Sequence, residues 1–405
     1  MTQRLSAALR RKELLPLLLL FVVVAAFAVR TSGVDWDGGS LYHPDERSIY
    51  MRAACMYDTL TEQSGWQGCA DPAFPQDTPG IPSPGTLFDA EASPLNPHWF
   101  PIGSILIYLL VGVRGVLGLF MESVSLQDLA VAGRLMAALA DTGSVMLLYL
   151  VGRRLFGAGA GLLAAALYAF SAMYIQLATY YRPEPFVVLL ALATFWFVLN
   201  ILERDSLRDH AWLGVMVGLS LALRASSAPL LAPVALAYGV LTWRWWQAQR
   251  ELMPEGGMAS ALPALVPNWA LGVGIKAVLA GAAALAAFAV SQPYAFIDFQ
   301  QYWRDLTWEL DKTAGSVPYT VQYIGIPRNG VYEVTQSAVW GLGLPLGIAA
   351  WSGLALTIGR MFRRPRLADA LVLALVVPSL LVVMSYEVKF LRYLVMVLPF
   401  MVLLG

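Results

Sequence analysis

Apolar runs long enough to cross a lipid bilayer recur along almost the whole of this 405-residue chain. A helix needs about 20 predominantly apolar residues to span the hydrocarbon core, and inside that core each backbone polar group must find its partner within the protein. Such runs commit the chain to a polytopic, all-α membrane architecture. The composition agrees, with 58% of residues hydrophobic and 13% charged, against about a quarter charged in soluble domains. Lys+Arg 27 and Asp+Glu 27 cancel. That balance gives no case for nucleic acid as a partner, and the distribution of charge is more informative than its sum.

Arg4, Arg10, Arg11 and Lys12 precede an apolar run from Leu14 to Val29, and no small-x-small cleavage site follows. This run reads as a retained first helix with its basic end in the cytoplasm. From Thr31 to His98 there are eight prolines and ten acidic residues but only Arg47 and Arg52 as basic ones, which places the stretch outside. The next apolar run, 102–120, looks able to span. If it crossed, Arg153 and Arg154 and every later basic cluster would face outward. Lying in the outer interface, it leaves Arg153 with Arg154, Arg204 with Arg208, Arg244 with Arg250, and Arg360, Arg363, Arg364 and Arg366 all in the cytoplasm. The sequence thus predicts one transmembrane domain over 1–405, with a first external loop at 31–128 that carries surface-lying helices. Spans follow at 129–151, 161–180, 185–201, 211–223, 226–243, 268–290, 338–359, 367–384 and 391–405, which with the first helix makes about ten. The 211–223 span is short, so its outer end is expected to stop inside a cavity. A second external loop covers 291–337. Gly405 closes an apolar run without a polar flank, so the protein is expected to continue beyond it.

Early in the first external loop lies Leu41-Tyr42-His43-Pro44-Asp45-Glu46-Arg47. His43 is placed to cap a helix from Pro44 to about Leu60, with proline at the first position and two acids in the first turn, all favoured there. Ile49, Ala53, Met56 and Leu60 share one face, as in a helix lying along a membrane. The topology brings further ionisable residues to the same outer surface: Arg182 and Glu184 at a helix–helix turn, Arg224 after the short span, and Lys389 and Arg392 near the last. Charge so close to a bilayer is costly and is functional or snorkelling. One loop-end charge reads as a helix anchor; two acids and several cations together read as a site. Arginine and lysine hold phosphate, and a carboxylate takes the proton from an attacking hydroxyl or amine. That is equipment for transfer from an anionic lipid headgroup. Asp45 is the expected base; Glu46 beside it is either a capping acid or an orienting partner, and it stands with Glu184 among the catalytic candidates. Arg182, Arg224, Lys389 and Arg392 are the expected phosphate clamp, and Tyr42, His43, His98 and Tyr319 the substrate contacts. His43, Asp45 and His98 could hold a divalent metal, but a histidine N-cap and a loop histidine are the plainer reading, so a metal is not favoured and no cofactor is required. Cys55 and Cys69 share the oxidising side, where a disulfide is permitted.

His43-Pro44-Asp45-Glu46 after the first helix resembles the first-loop acidic motif of the GT-C glycosyltransferases that use phospholipid-linked sugars (glycosyltransferase family 39). That group includes the protein O-mannosyltransferases and the aminoarabinose transferases. Ala132-Gly133-Arg134-Leu135 through Leu150-Val151-Gly152-Arg153-Arg154-Leu155-Phe156-Gly157 is similar to the family's second helix and its cytoplasmic turn. Tyr180-Tyr181-Arg182-Pro183-Glu184-Pro185-Phe186 resembles the turn that supplies a second acidic residue. Lys389-Phe390-Leu391-Arg392-Tyr393 with Leu398-Pro399 is similar to a late basic motif. Each motif alone is weak, and their order and spacing together are more specific. The resemblance implies a GT-C fold and an inverting transferase of the plasma membrane with an external active site. It further implies a polyprenyl-phosphate sugar donor, Asp45 in the catalytic role and Glu184 at the second acidic position, with the acceptor (protein, lipid or glycan) left open. Two departures bear on the phosphate clamp. Asn96-Pro97 stands where the aminoarabinose enzymes have a lysine before proline, and Arg47 lies one residue before the register of their arginine. The rival reading is a carrier for the same lipids, which inverted repeats and paired interrupted helices would mark. The sequence has one short helix without a counterpart and a large external loop that a carrier does not need. A non-catalytic relative is the third reading.

Overall fold

The computed structural model describes residues 2–61, 84–250, 268–315 and 317–405, with side chains from Leu14 onward. The described residues form helices and turns, with no strand among them. After α1 (Thr2–Thr31), the first loop contributes α2 (Pro44–Thr61), α3 (Pro84–Leu87) and α4 (Ser104–Leu117). The bundle continues through α5 (Leu126–Phe156), α6 (Ala158–Ala169), α7 (Ala172–Ala178), α8 (Pro183–Glu203), α9 (Leu207–Leu223), α10 (Leu231–Arg250) and α11 (Ile275–Ser291). The second loop holds α12 (Tyr294–Ile297), α13 (Phe299–Thr313) and α14 (Val331–Gln336), followed by α15 (Leu344–Arg363), α16 (Leu367–Ser385) and α17 (Leu398–Leu404).

Among the described residues seven helices are long and apolar enough to cross a membrane, or eight if α6 and α7 count as one broken span. The difference from the expected ten has local causes. The single helix expected at 161–180 bends by 61° between α6 and α7. Arg30, fully buried at the end of α1, stabilises that break by donating from Nη1 to the Ala169 carbonyl at 2.9 Å. A helix-end carbonyl in an apolar interior needs such a partner. The same guanidinium reaches Asp141 Oδ2 at 2.5 Å, and the Tyr168 hydroxyl donates to the other oxygen of that carboxylate. The segment at 391–405 is a 3-10 turn (Leu391–Leu394) followed by the short α17, rather than one helix. Leu394 through Met401 are buried on all sides, so this stretch is interior and has no lipid face. At 338–359 a π turn (Ser337–Gly341) and the positive φ of Gly343 delay the helix to Leu344. The short α9, 17 residues long, ends at Arg224. At 14 residues α4 is shorter than a span, and it packs chiefly on α2.

Between apolar helices in lipid, small residues supply close contact in place of a hydrophobic drive. Gly214 and Gly218 of α9 do this against α11, where an added Cβ would meet Ala280 O at 2.0 Å or Ala284 O at 2.1 Å. The α9–α11 pair runs between two charged ends of the bundle. At one end Arg154 bonds Asn200 and Glu203, Arg244 bonds Leu202 O, and Lys276 pairs with Asp205. At the opposite end the starts of α2 and α8, the end of α9 and the Leu391–Leu394 turn come together. The arginine clusters at 153–154, 204–208 and 244 therefore lie at the end away from Asp45.

Gly218→Leu is expected to lower the thermal unfolding midpoint of the detergent-solubilised protein by several degrees, because overpacking a close contact costs about 1–3 kcal/mol. Gly239→Leu, where an added Cβ meets nothing within 4 Å, is expected to leave it unchanged or raise it.

Candidate active site

The start of α2 is built around Pro44, whose fixed φ suits the first helical position and whose missing N–H has no helical partner to lose there. The His43 carbonyl accepts from Arg47 N–H at 2.9 Å, and His43 Nδ1 faces Asp45 N–H at 3.2 Å. The next two side chains then part. Glu46 is fully buried, and its two oxygens accept from Arg134 Nε and Nη2, each at 2.9 Å. Glu46 Oε1 also accepts from Tyr181 N–H at 2.9 Å. Arg134 spends its remaining donors on Asp37, at 2.8 and 2.7 Å, and on Val34 O at 3.1 Å. All five guanidinium N–H groups are thus used. The bond from Arg134, with those from the Gly39 and Leu41 N–H groups, holds the Asp37 carboxyl below its usual range.

Asp45 faces the other way, with its side chain 36% exposed. Its Oδ2 lies 3.2 Å from Arg182 Nη2 and 3.2 Å from Arg392 Nη1. Arg182 also donates to Glu184 Oε1 at 2.9 Å and faces His43 Nε2 at 2.9 Å, and Arg224 reaches the same Glu184 oxygen at 2.9 Å. The backbone explains the meeting. Pro183 opens α8, which leaves Arg182 extended at its cap and Glu184 in its first turn. Arg224 is likewise extended as α9 ends. Three guanidiniums face two carboxylates, leaving one unbalanced positive charge. Arg182 Nε and Arg392 Nε are buried with no partner, as is Glu184 Oε2. Buried donors without acceptors cost about 1–3 kcal/mol each, so the cluster has unused capacity for an anion. Burial and the neighbouring Arg182 push the His43 imidazole down to about 4, which keeps it neutral near pH 7. His43 and Trp36 both pack against Tyr180, at 5.1 and 5.7 Å between ring centroids, and Tyr42 stands exposed at the rim. Partial burial, and then the charges of Glu309 and Asp45, raise the phenol of Tyr319, which also stands largely exposed.

Of the expected residues, Asp45, His43, Arg182, Glu184, Arg224 and Arg392 form one connected cluster, and three others need correction. Glu46 is fully buried with both oxygens taken by Arg134 and one also by Tyr181 N–H, which is the geometry of an anchor for α2 and not of an acid open to a substrate. Lys389 is buried on Glu333, with Nζ at 2.6 Å from Oε1 and 3.2 Å from Met384 O. Its charge is already compensated there, and the cationic part of the site is three arginines. His98 belongs to a separate polar knot with Asn96, at 3.2 Å, and Asp298, at 3.7 Å. Cys55 is buried on α2, and Cys69 lies outside the described residues, as does therefore the proposed pairing. Asp37 and Arg134 were not expected at the site. The available signal was an arginine inside an apolar run, a costly placement that marks function or structure.

Residues 117–271 match the family model described as dolichyl-phosphate-mannose-protein mannosyltransferase. That range takes in Arg134, Arg182, Glu184 and Arg224 and leaves out Asp45 and Arg392. No curated protein matches the chain by sequence. The archaeal oligosaccharyltransferase AglB from Archaeoglobus fulgidus, solved with an inhibitory peptide and a dolichol-phosphate, superimposes with a TM-score of 0.55 at 12% identity, over 98% of this chain and 50% of its own. ArnT from Cupriavidus metallidurans, bound to undecaprenyl phosphate, gives a TM-score of 0.52 at 17% identity, over 95% of this chain and 58% of its own. Both are GT-C glycosyltransferases. This chain has the GT-C fold. It spans about half the length of the GT-C structures it matches. Another of them, the A. fulgidus oligosaccharyltransferase with Zn and sulfate, has a TM-score of 0.52 at 14% identity, over 96% of this chain and 48% of its own. Among the described residues no three His, Cys, Asp or Glu side chains converge, and Asp45 and Glu184 are flanked by arginines.

Arg134→Ala strands two buried carboxylates, and removing one partner of a buried ion cluster costs about 3–5 kcal/mol. The variant is expected to unfold at markedly lower temperature, with partial recovery when Asp37→Asn and Glu46→Gln are added. His43 makes a second prediction, because its folded pKa lies below its unfolded one. Between about 6.5 and about 4 only the unfolded chain takes up the proton. Stability therefore falls as pH drops through that window, and His43→Gln is expected to flatten that part of the melting-temperature profile.

Proposed function

We propose that the chain is a membrane glycosyltransferase that moves one sugar from a polyprenyl-phosphate donor to an acceptor on the external side, with inversion at the anomeric carbon. The observation that carries this reading is the half-exposed Asp45 carboxylate held between Arg182 and Arg392, each with a buried N–H to spare. An acceptor oxygen attacks the anomeric carbon as the bond from that carbon to the phosphate oxygen breaks. The bonding electrons leave with the phosphate, and the acceptor's proton passes to Asp45. Arg182 and Arg392 stabilise the charge on the departing phosphate, and Glu184 holds Arg182 and Arg224 in place. Before the donor arrives, Asp45 occupies the position between the arginines that the phosphate would take. Competition from the phosphate draws positive charge away from Asp45 and makes it a better base.

The carrier-bound GT-C neighbours, one with dolichol-phosphate and one with undecaprenyl phosphate, support a polyprenyl-phosphate donor. The external placement rests on the positive-inside rule, with the arginine clusters at the bundle end away from Asp45 taken as cytoplasmic.

Asp45→Asn in the full-length protein is expected to fold normally and to lose about 10²–10⁴ in transfer rate from a supplied polyprenyl-phosphate sugar, the range for a general base. Turnover at the parent rate would remove Asp45 from the mechanism. Arg392→Ala is expected to raise the KM for the donor more than that for the acceptor. Equal changes in both would take Arg392 out of the phosphate clamp.

A further inference from the structure

The end of the bundle away from Asp45 has a site of its own. The turn from α8 to α9 carries three acids and two arginines, and each acid already has hydrogen-bond or ion-pair partners. Glu203 takes Arg154 at 2.5 Å. Asp205 takes Lys276 and, at 2.9 Å, His210. Asp209 accepts from Ser206 at 2.5 Å and from Asn200 at 3.0 Å. Arg204 and Arg208 are exposed, and among the described residues their side chains have no hydrogen bond or ion pair. Arg208 also stands in the first turn of α9, where the helix dipole disfavours a cation. A bound anion would relieve both the dipole and the mutual repulsion.

The space beside these arginines has two zones. It is a cavity of about 620 Å³ lined on the polar side by Arg204, Ser206, Arg208 and Asp209, and on the apolar side by Phe197, Trp212 and Met216. Phe197 and Trp212 stack at 6.4 Å with their planes 18° apart, and Trp212 is 43% exposed. Arg208, Trp212 and Met216 are successive fours along α9, so a cation and two apolar groups share one helix face. Cationic and apolar side chains lining one cavity at the end of a membrane bundle match an amphiphile with an anionic head.

We propose that this cavity binds an anionic phospholipid. The phosphate sits between Arg204 and Arg208 at the N-terminus of α9, and an acyl chain runs down Phe197, Trp212 and Met216. The site is separate from the Asp45 cluster and stands whether or not the transferase reading does.

The test is native mass spectrometry of the full-length protein in detergent, titrated with phosphatidylglycerol, phosphatidylcholine or inorganic phosphate. One phosphatidylglycerol is expected to be retained in clear preference to phosphatidylcholine. The Arg204→Gln/Arg208→Gln pair is expected to weaken it roughly tenfold or more, given the value of basic residues near anionic lipid. The charge-keeping Arg204→Lys/Arg208→Lys pair should recover most of that binding, which separates lost charge from lost fold. Trp212→Ala should weaken the lipid and leave inorganic phosphate binding as it was. Equal retention of the two lipids, or undiminished phosphatidylglycerol binding in the glutamine pair, would overturn the proposal and leave these arginines as topological anchors. Inorganic phosphate binding as tightly as the lipid would also overturn it, in favour of a free-phosphate site.

Discussion

The whole candidate site depends on one guanidinium. Arg134 comes from the interior of α5 with no solvent exposure, and its five N–H groups hold the turn after α1 through Val34 and Asp37 and the start of α2 through Glu46. Glu46 passes the constraint on to the Tyr181 N–H, one residue before Arg182. A charge in such a place is tolerable only when every donor and acceptor is satisfied. A fully used cluster of this kind fixes backbone and not only side chains. Three segments far apart in the chain are thereby set in one register before any substrate is present.

The consequence for chemistry comes from helix geometry. Asp45 and Glu46 are neighbours on α2 and so point about 100° apart, as the 3.6-residue turn requires. One is sealed inside and anchors the helix, while the other stands at the surface of the arginine cluster with its geometry inherited from the anchor. Around Asp45 the contacts are looser, at 3.2 Å to each arginine, and buried donors remain unused. Rigidity and available bonding capacity are divided between two adjacent acids.

Much of this was legible in the sequence, because hydrophobicity and charge placement are local properties. The apolar runs gave the helical bundle, and loop charge decided which helix ends share a side. That in turn brought Asp45, Arg182, Glu184, Arg224 and Arg392 to one surface from distant parts of the chain. What was not legible depended on partners far away in sequence. The bend between α6 and α7 has neither proline nor glycine at Phe170-Ser171, and its support is Arg30, 139 residues before the carbonyl it meets. Lys389 and Arg392 lie three apart, yet Lys389 turns to Glu333 and Arg392 to Asp45, because the chain between them is extended before the Leu391–Leu394 turn. Glu46 looked like a second catalytic acid because nothing local reveals that Arg134 has taken it.

Arg30 also bears on how such a protein is made. The first helix is peripheral, with 17% of its span buried, and its polar attachment is the contact of Arg30 with Asp141, Tyr168 and Ala169. Those partners do not exist until more than a hundred further residues have been synthesised. During that interval the emerging helix carries an unmatched cation, which a long arginine side chain can keep among the lipid headgroups. Arg30 is therefore matched only when α5 and α6 are both present, so this attachment of α1 is made by segments that follow it by more than a hundred residues.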